Sequence, residues 1–201
     1  MSAGRPNQKQ RTRKDLLDAA VLLSRAGGRP GLEEVAEAAL VSRATAYRYF
    51  PNIETLLLEA SVHVAAPDAS ILEDEPTADP IARLNRVGEA FNAMIQANEA
   101  PLRLMLARSL ERSASGETPA DLPVRQNRRS PLIEAALDPV RERIAPETHA
   151  MLVRALALVI GTESFVVTKD VLRLSDDEAR ELRCWVIEAL VQRALPLQAA
   201  A

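Results

Sequence analysis

Leu16, Ala19, Ala20 and Leu23 recur at the i, i+3, i+4, i+7 spacing of one helix face, and Gly27-Gly28 closes the run. This pattern predicts an amphipathic helix from Thr12 to Ala26. After the Pro30-Gly31 turn, Leu32, Val35, Ala36 and Ala39 mark one face of a short second helix. Ser42 has the character of an N-cap for a third helix, Arg43 to Phe50, because its hydroxyl can accept from an otherwise unpaired backbone N–H. Pro51 breaks the chain, and Asn52 can cap a fourth helix carrying Leu56, Leu57 and Ala60. Residues 66–80 hold Pro67, Pro76, Pro80 and five acids, which predicts a loop between a head, 1–60, and a body, 61–201.

The body reads as helical throughout. Leu84, Val87, Phe91, Met94 and Ile95 line one side of a helix over residues 81–98. Pro101 opens another, to about Ser113, followed by a loop to Pro123. Ser130-Pro131 and Asp138-Pro139 each place a capping residue before a proline, so residues 131–145 form two short helices or one kinked helix. From Glu147 to Leu172 the chain is apolar on nearly every side, which predicts one long helix. Ser175-Asp-Asp-Glu178 is a capping box, and Leu182, Trp185, Val186, Ala189 and Leu190 stripe the last helix, ended by Pro196. No period-2 alternation occurs, so the fold expected is all-α.

Composition sharpens this picture in two places. Aromatics are 3% against 47% apolar residues overall, a bias toward unbranched side chains that lose little freedom in helices. The net charge of -3 is unevenly divided: residues 1–60 carry +2 and residues 61–201 carry -5. Arg5, Lys9, Arg11, Arg13 and Lys14 all precede the first acid, Asp15, so the positive field lies where a polyanion can be met. Arg128-Arg129 reads as solvent-facing charge, with anion binding as the alternative.

Other chemistry is sparse. Cys184 is the one cysteine, so no disulfide forms within the chain. His63, read as a helix-surface or hinge residue, and His149, read as an exposed first-turn residue, have no metal-ligand spacing around them. No phosphate-cradling glycine loop or nucleophile elbow is present. The expectation is a protein without catalytic residues, metal or cofactor. The polar N-terminus lacks a signal-peptide core and no apolar run reaches about 18 residues, so a cytoplasmic location with no membrane partner is expected.

The stretch from Val35 to Phe50 carries the function. Two short helices can cross steeply only where small residues meet, and Ala36 and Ala39 provide that contact. Val41 fills the space beneath the turn, and Ser42 anchors the second helix so that its first side chains project outward. In a helix-turn-helix those side chains enter the DNA major groove. Val35-Ala36, Ala39-Leu40-Val41-Ser42, Tyr47-Arg48-Tyr49-Phe50 and Leu56 together resemble the N-terminal signature of the TetR family of regulators, over about residues 10–60. Three positions depart from that pattern. Leu40 replaces a turn glycine and either takes a positive φ, at roughly 1 kcal/mol, or reshapes the turn. Ala46 replaces a leucine, and Ile53 replaces a lysine that touches phosphate.

The resemblance implies that Arg43, Ala44, Thr45, Tyr47 and Arg48, with Ser42, form the DNA surface, while Tyr49 and Phe50 pack or touch the backbone. Arg43 and Arg48 have the chemistry to contact phosphate or to read guanine bidentately. Lys9, Arg11, Arg13 and Lys14 are candidate phosphate partners. The resemblance also implies a homodimer on a palindromic operator in double-stranded DNA, paired through the last two helices, with Trp185, Leu182, Ala189 and Val159 as interface candidates. It implies an effector pocket between residues 81 and 170, for which Phe91, Met94, Met105, Met151, Phe165 and Glu163 are lining candidates, and repression relieved by a small molecule. An activator or architectural DNA-binding protein shares the same head, and a helical protein-interaction scaffold is the more distant alternative.

Overall fold

A computed structural model of the chain describes residues 4–27, 29–73, 77–116 and 127–195. The architecture is all-α, with no strand among the described residues. The helices are α1 (Gly4–Arg25), α2 (Leu32–Ala38), α3 (Arg43–Tyr49), α4 (Ile53–Ala65), α5 (Pro80–Ala97), α6 (Glu99–Ala114), α7 (Arg129–Leu137), α8 (Pro146–Val159), α9 (Thr162–Val166) and α10 (Asp176–Ala194). Short 3-10 helices cover Ala69–Leu72 and Asp138–Arg143, and a π-helical turn, Val167–Val171, continues α9. Pro196 lies outside the described residues.

Two compact units share the chain: Met1–Ala65 with Asn98–Gln126, and Ala66–Ala97 with Asn127–Ala201. Residue 60 therefore lies inside α4, and α6 packs with α4 in the first unit. That unit is built around Leu16, Leu17, Ala20, Val35, Ala36, Ala46, Phe50 and Leu56. The core of the second unit gathers Leu84, Val87 and Phe91 of α5, Ile133 and Leu137 of α7, Leu152 and Leu156 of α8, and Ile187 and Val191 of α10.

Helix α1 starts at Gly4 rather than near Thr12. The run Gln8-Lys9-Gln10-Arg11 consists of good helix formers, and Pro6 falls in the first turn, where its missing N–H costs nothing. The basic residues 9 and 11 consequently stand on a helix. Asn52 caps α4 as expected, its Oδ1 accepting from the Thr55 N–H at 2.8 Å. The capping box of α10 is complete: Ser175 Oγ accepts from Glu178 N at 3.3 Å, and Glu178 Oε2 accepts from Ser175 N at 2.8 Å. Those bonds, the backbone one first, hold the Glu178 carboxyl below the usual carboxylate range.

The long helix expected over 147–172 is instead broken at Ile160-Gly161 and bent by 42° between α8 and the following segment. Gly161 has φ +147, open to glycine but strained for other residues. The Arg129 guanidinium fills the break, donating to the carbonyls of Ala157 at 2.9 Å and Ile160 at 3.0 Å and pairing with Glu163 at 2.9 Å. Arg129 is therefore a structural plug and not an idle surface charge. A Cβ at position 161 would lie 2.6 Å from Arg129 Cζ. Gly161→Ala is expected to destabilise the protein by about 1–3 kcal/mol from backbone strain alone, read as a lower urea midpoint.

His149 is likewise buried, not exposed, with Arg141 Nη1 2.8 Å from its Nδ1. Burial, reinforced by the Arg141 charge, lowers its pKa and favours the neutral ring. Among the described residues no single helix is long and apolar enough to cross a membrane; the bent pair of α8 and the segment to Val171 passes that test only together.

Candidate nucleic-acid interface

The turn between α2 and α3 is closed by backbone bonds from Leu40 N to Glu37 O, 3.0 Å, and from Val41 N to Ala36 O, 2.9 Å. Leu40 resolves the question of the missing glycine: it adopts φ 56 and is 94% exposed. The left-handed residue keeps the turn's shape and leaves an isolated leucine side chain in solvent. Ala36 and Ala46 are buried at the crossing of α2 and α3, where larger side chains would push the helices apart. Ser42 is the N-cap of α3; its Oγ accepts from Thr45 N at 3.1 Å and lies 2.8 Å from Thr45 Oγ1.

With Ala46, Tyr49 and Phe50 turned inward, the opposite face of α3 is open. Arg43, Ala44, Tyr47 and Arg48 are exposed, and Thr45 is half-buried beside its cap. Tyr47 leaves 49% of its surface in solvent, although large aromatic side chains are ordinarily covered. Arg43 forms an ion pair with Glu33 on α2. This exposed link contributes about 0–1 kcal/mol and is readily exchanged for another anion.

On α1, Arg11 is exposed, Lys9 is partly covered, and Lys14 pairs with Asp18 at 2.6 Å on the same helix. Arg13 departs from the expected set of phosphate partners. It is 3% exposed, its Nε donates to Glu59 Oε1 at 3.0 Å, and its Nη2 lies 2.5 Å from Glu59 Oε2. The same guanidinium sits 4.5 Å above the Phe50 ring and reaches the Tyr49 carbonyl at 3.5 Å. Arg13 thus ties α1, the end of α3 and α4 into one rigid body. A sequence signal existed: positions 13, 16, 17 and 20 fall on one helical stripe. Its partner, 46 residues away, had none. His63 of α4 also reaches α1, with Nε2 2.7 Å from Asp18 Oδ1.

The six candidate ligand-lining residues do not meet in one cavity. Phe165 and Glu163 line a cavity of about 310 Å³ between α5, the α8–α9 break and α10. Phe91 is in the core and Met94 packs against it. Met151 is exposed on α8, beside a groove of about 440 Å³ that it shares with α10. Met105 belongs to α6 in the first unit. Methionine fills helix–helix gaps as readily as it lines pockets, so helical spacing alone could not separate these roles. Of the interface candidates, Trp185 is 68% exposed, Leu182 and Ala189 are exposed, and Val159 is half-buried. Leu158, Val171 and Leu172 are further exposed apolar residues of the same region.

Comparison with known proteins agrees with this geometry. Residues 16–60 match the model for bacterial regulatory proteins of the tetR family, spanning the end of α1 through the helix-turn-helix into α4. The HTH-type transcriptional repressor LfrR of Mycolicibacterium smegmatis is 38% identical over 84 residues, 41% of this chain and 44% of that protein. The matched region thus spans less than half the length of the relative. Through its N-terminal helices, the chain is similar to the tetR family of bacterial regulatory proteins.

Proposed function

We propose that the chain is a cytoplasmic, DNA-binding transcriptional repressor, not an enzyme, which acts as a homodimer on a palindromic operator and is released by a small molecule. The observation that carries the reading is the open face of α3, where Arg43, Tyr47 and Arg48 project from a helix capped by Ser42 and backed by buried Ala46. Such a face offers guanidinium forks, a hydroxyl and an apolar ring, the groups that read base edges and phosphates. Ser42, Ala44 and Thr45 complete it, with Lys9, Arg11 and Lys14 adding phosphate attraction. The first unit is the DNA-binding part and the second the pairing and sensing part.

One helix-turn-helix reads few base pairs, so two copies on two half-sites supply the specificity. Trp185 and Leu158, largely in solvent on α10 and α8, favour pairing through these last helices. Selection of bound duplexes from a random pool tests the reading. An enriched palindrome, with affinity falling steeply as salt rises, is expected; a pool that stays random rejects it. Glu33→Gln frees Arg43 and removes a negative charge beside α3, and is expected to raise affinity for the selected duplex by roughly fivefold or less, measured by fluorescence anisotropy.

A further inference from the structure

The 310 Å³ cavity of the second unit is lined by a guanidinium that forms no ion pair among the described residues. Arg183 of α10 lines it, and its Nε is buried without an acceptor. The nearby acids are already engaged: Glu163 by Arg129 at 2.9 Å, and Glu89 by Arg180 at 2.9 Å. Thr168 Oγ1 donates to the carbonyls of Ser164 and Phe165. The walls are otherwise mainly apolar, including Ile95, Phe165, Leu182 and Val186.

Gly88 of α5 makes this placement possible, since a Cβ there would lie 3.0 Å from Arg183 Nε. Burial also lowers the Arg183 pKa, the signature of a guanidinium partly stripped of water. An unpaired, partly desolvated cation at an apolar cavity is costly until an anion meets it.

We propose that this cavity binds a small organic monoanion, with its carboxylate or equivalent group accepting from the Arg183 guanidinium and its apolar body against Ile95, Phe165 and Val186. The inference rests on reading the second unit as the sensing part and names the chemistry of what it senses. The volume lies at the lower end for small-molecule sites, which suits a ligand of modest size.

Calorimetry on the full chain, without DNA, tests this with octanoate and its neutral isostere octanamide. Octanoate is expected to bind about tenfold tighter or more, the contribution of a hydrogen bond to a charged group. Arg183→Met should abolish that preference while keeping octanamide binding, and Arg183→Lys should restore part of it. Gly88→Ala should weaken octanoate by displacing the Arg183 stem. Equal binding of the two probes, binding of neither, or octanoate affinity undiminished in Arg183→Met overturns the proposal. Because no DNA is present, failure here with an intact palindrome in the selection rejects only the anion site. A carboxylate preference without any selected duplex rejects only the regulator reading.

Discussion

Arg13→Ala is expected to lower the stability of the first unit by about 3–5 kcal/mol, the largest effect of any single substitution considered. The change leaves the Glu59 carboxylate buried without its bidentate partner and strips the cation from the Phe50 ring. A loss of that size consumes much of the 5–15 kcal/mol typical of a domain, so thermal unfolding should begin markedly earlier. Replacing both partners with methionine should recover much of the loss, because the cost comes from the orphaned charge rather than from missing attraction. Unchanged thermal unfolding of Arg13→Ala would show that the guanidinium is solvated after all, returning it to the surface set.

The second large effect is on recognition. Arg48→Ala is expected to weaken binding to the selected duplex by roughly 5- to 150-fold, the 1–3 kcal/mol of one good base contact. Selectivity at one position of each half-site should relax at the same time. Because Arg48 is exposed, stability should change by about 0.5 kcal/mol or less. Arg11→Ala, by contrast, should weaken all duplexes evenly and lower the salt dependence by about one ion. A uniform loss in Arg48→Ala, with no base preference altered, would reassign that side chain to phosphate.

The legible parts of this molecule are those decided by neighbours in sequence. Ser42, Asn52 and Ser175 announce helix starts because a cap bonds only two or three residues ahead, and all three make the expected bonds. Leu40 was legible as a problem, since a turn built for glycine leaves two outcomes, and the structure takes the left-handed one. The parts hidden in the sequence depend on distant partners. Nothing near Arg13 points to Glu59. Nothing in the apolar run before Phe165 discloses that Arg129, remote in the chain, plugs a break at Gly161. His149 resembles an exposed first-turn residue until Arg141 is folded against it.

The candidate ligand residues were obscured for a related reason. An apolar side chain at helical spacing looks the same whether it fills a core, as Phe91 does, or faces a cavity, as Phe165 does. The more telling group is polar: Arg183 is conspicuous only once its buried, unpartnered Nε is visible in three dimensions.

Hydrogen exchange of the full chain with and without the selected duplex decides whether α3 is the element that meets DNA. Slowed exchange is expected at residues 43–49 and in the first turns of α1, where the open face and Lys9 and Arg11 lie. Unchanged exchange across α3, with protection instead confined to α8 and α10, would contradict it.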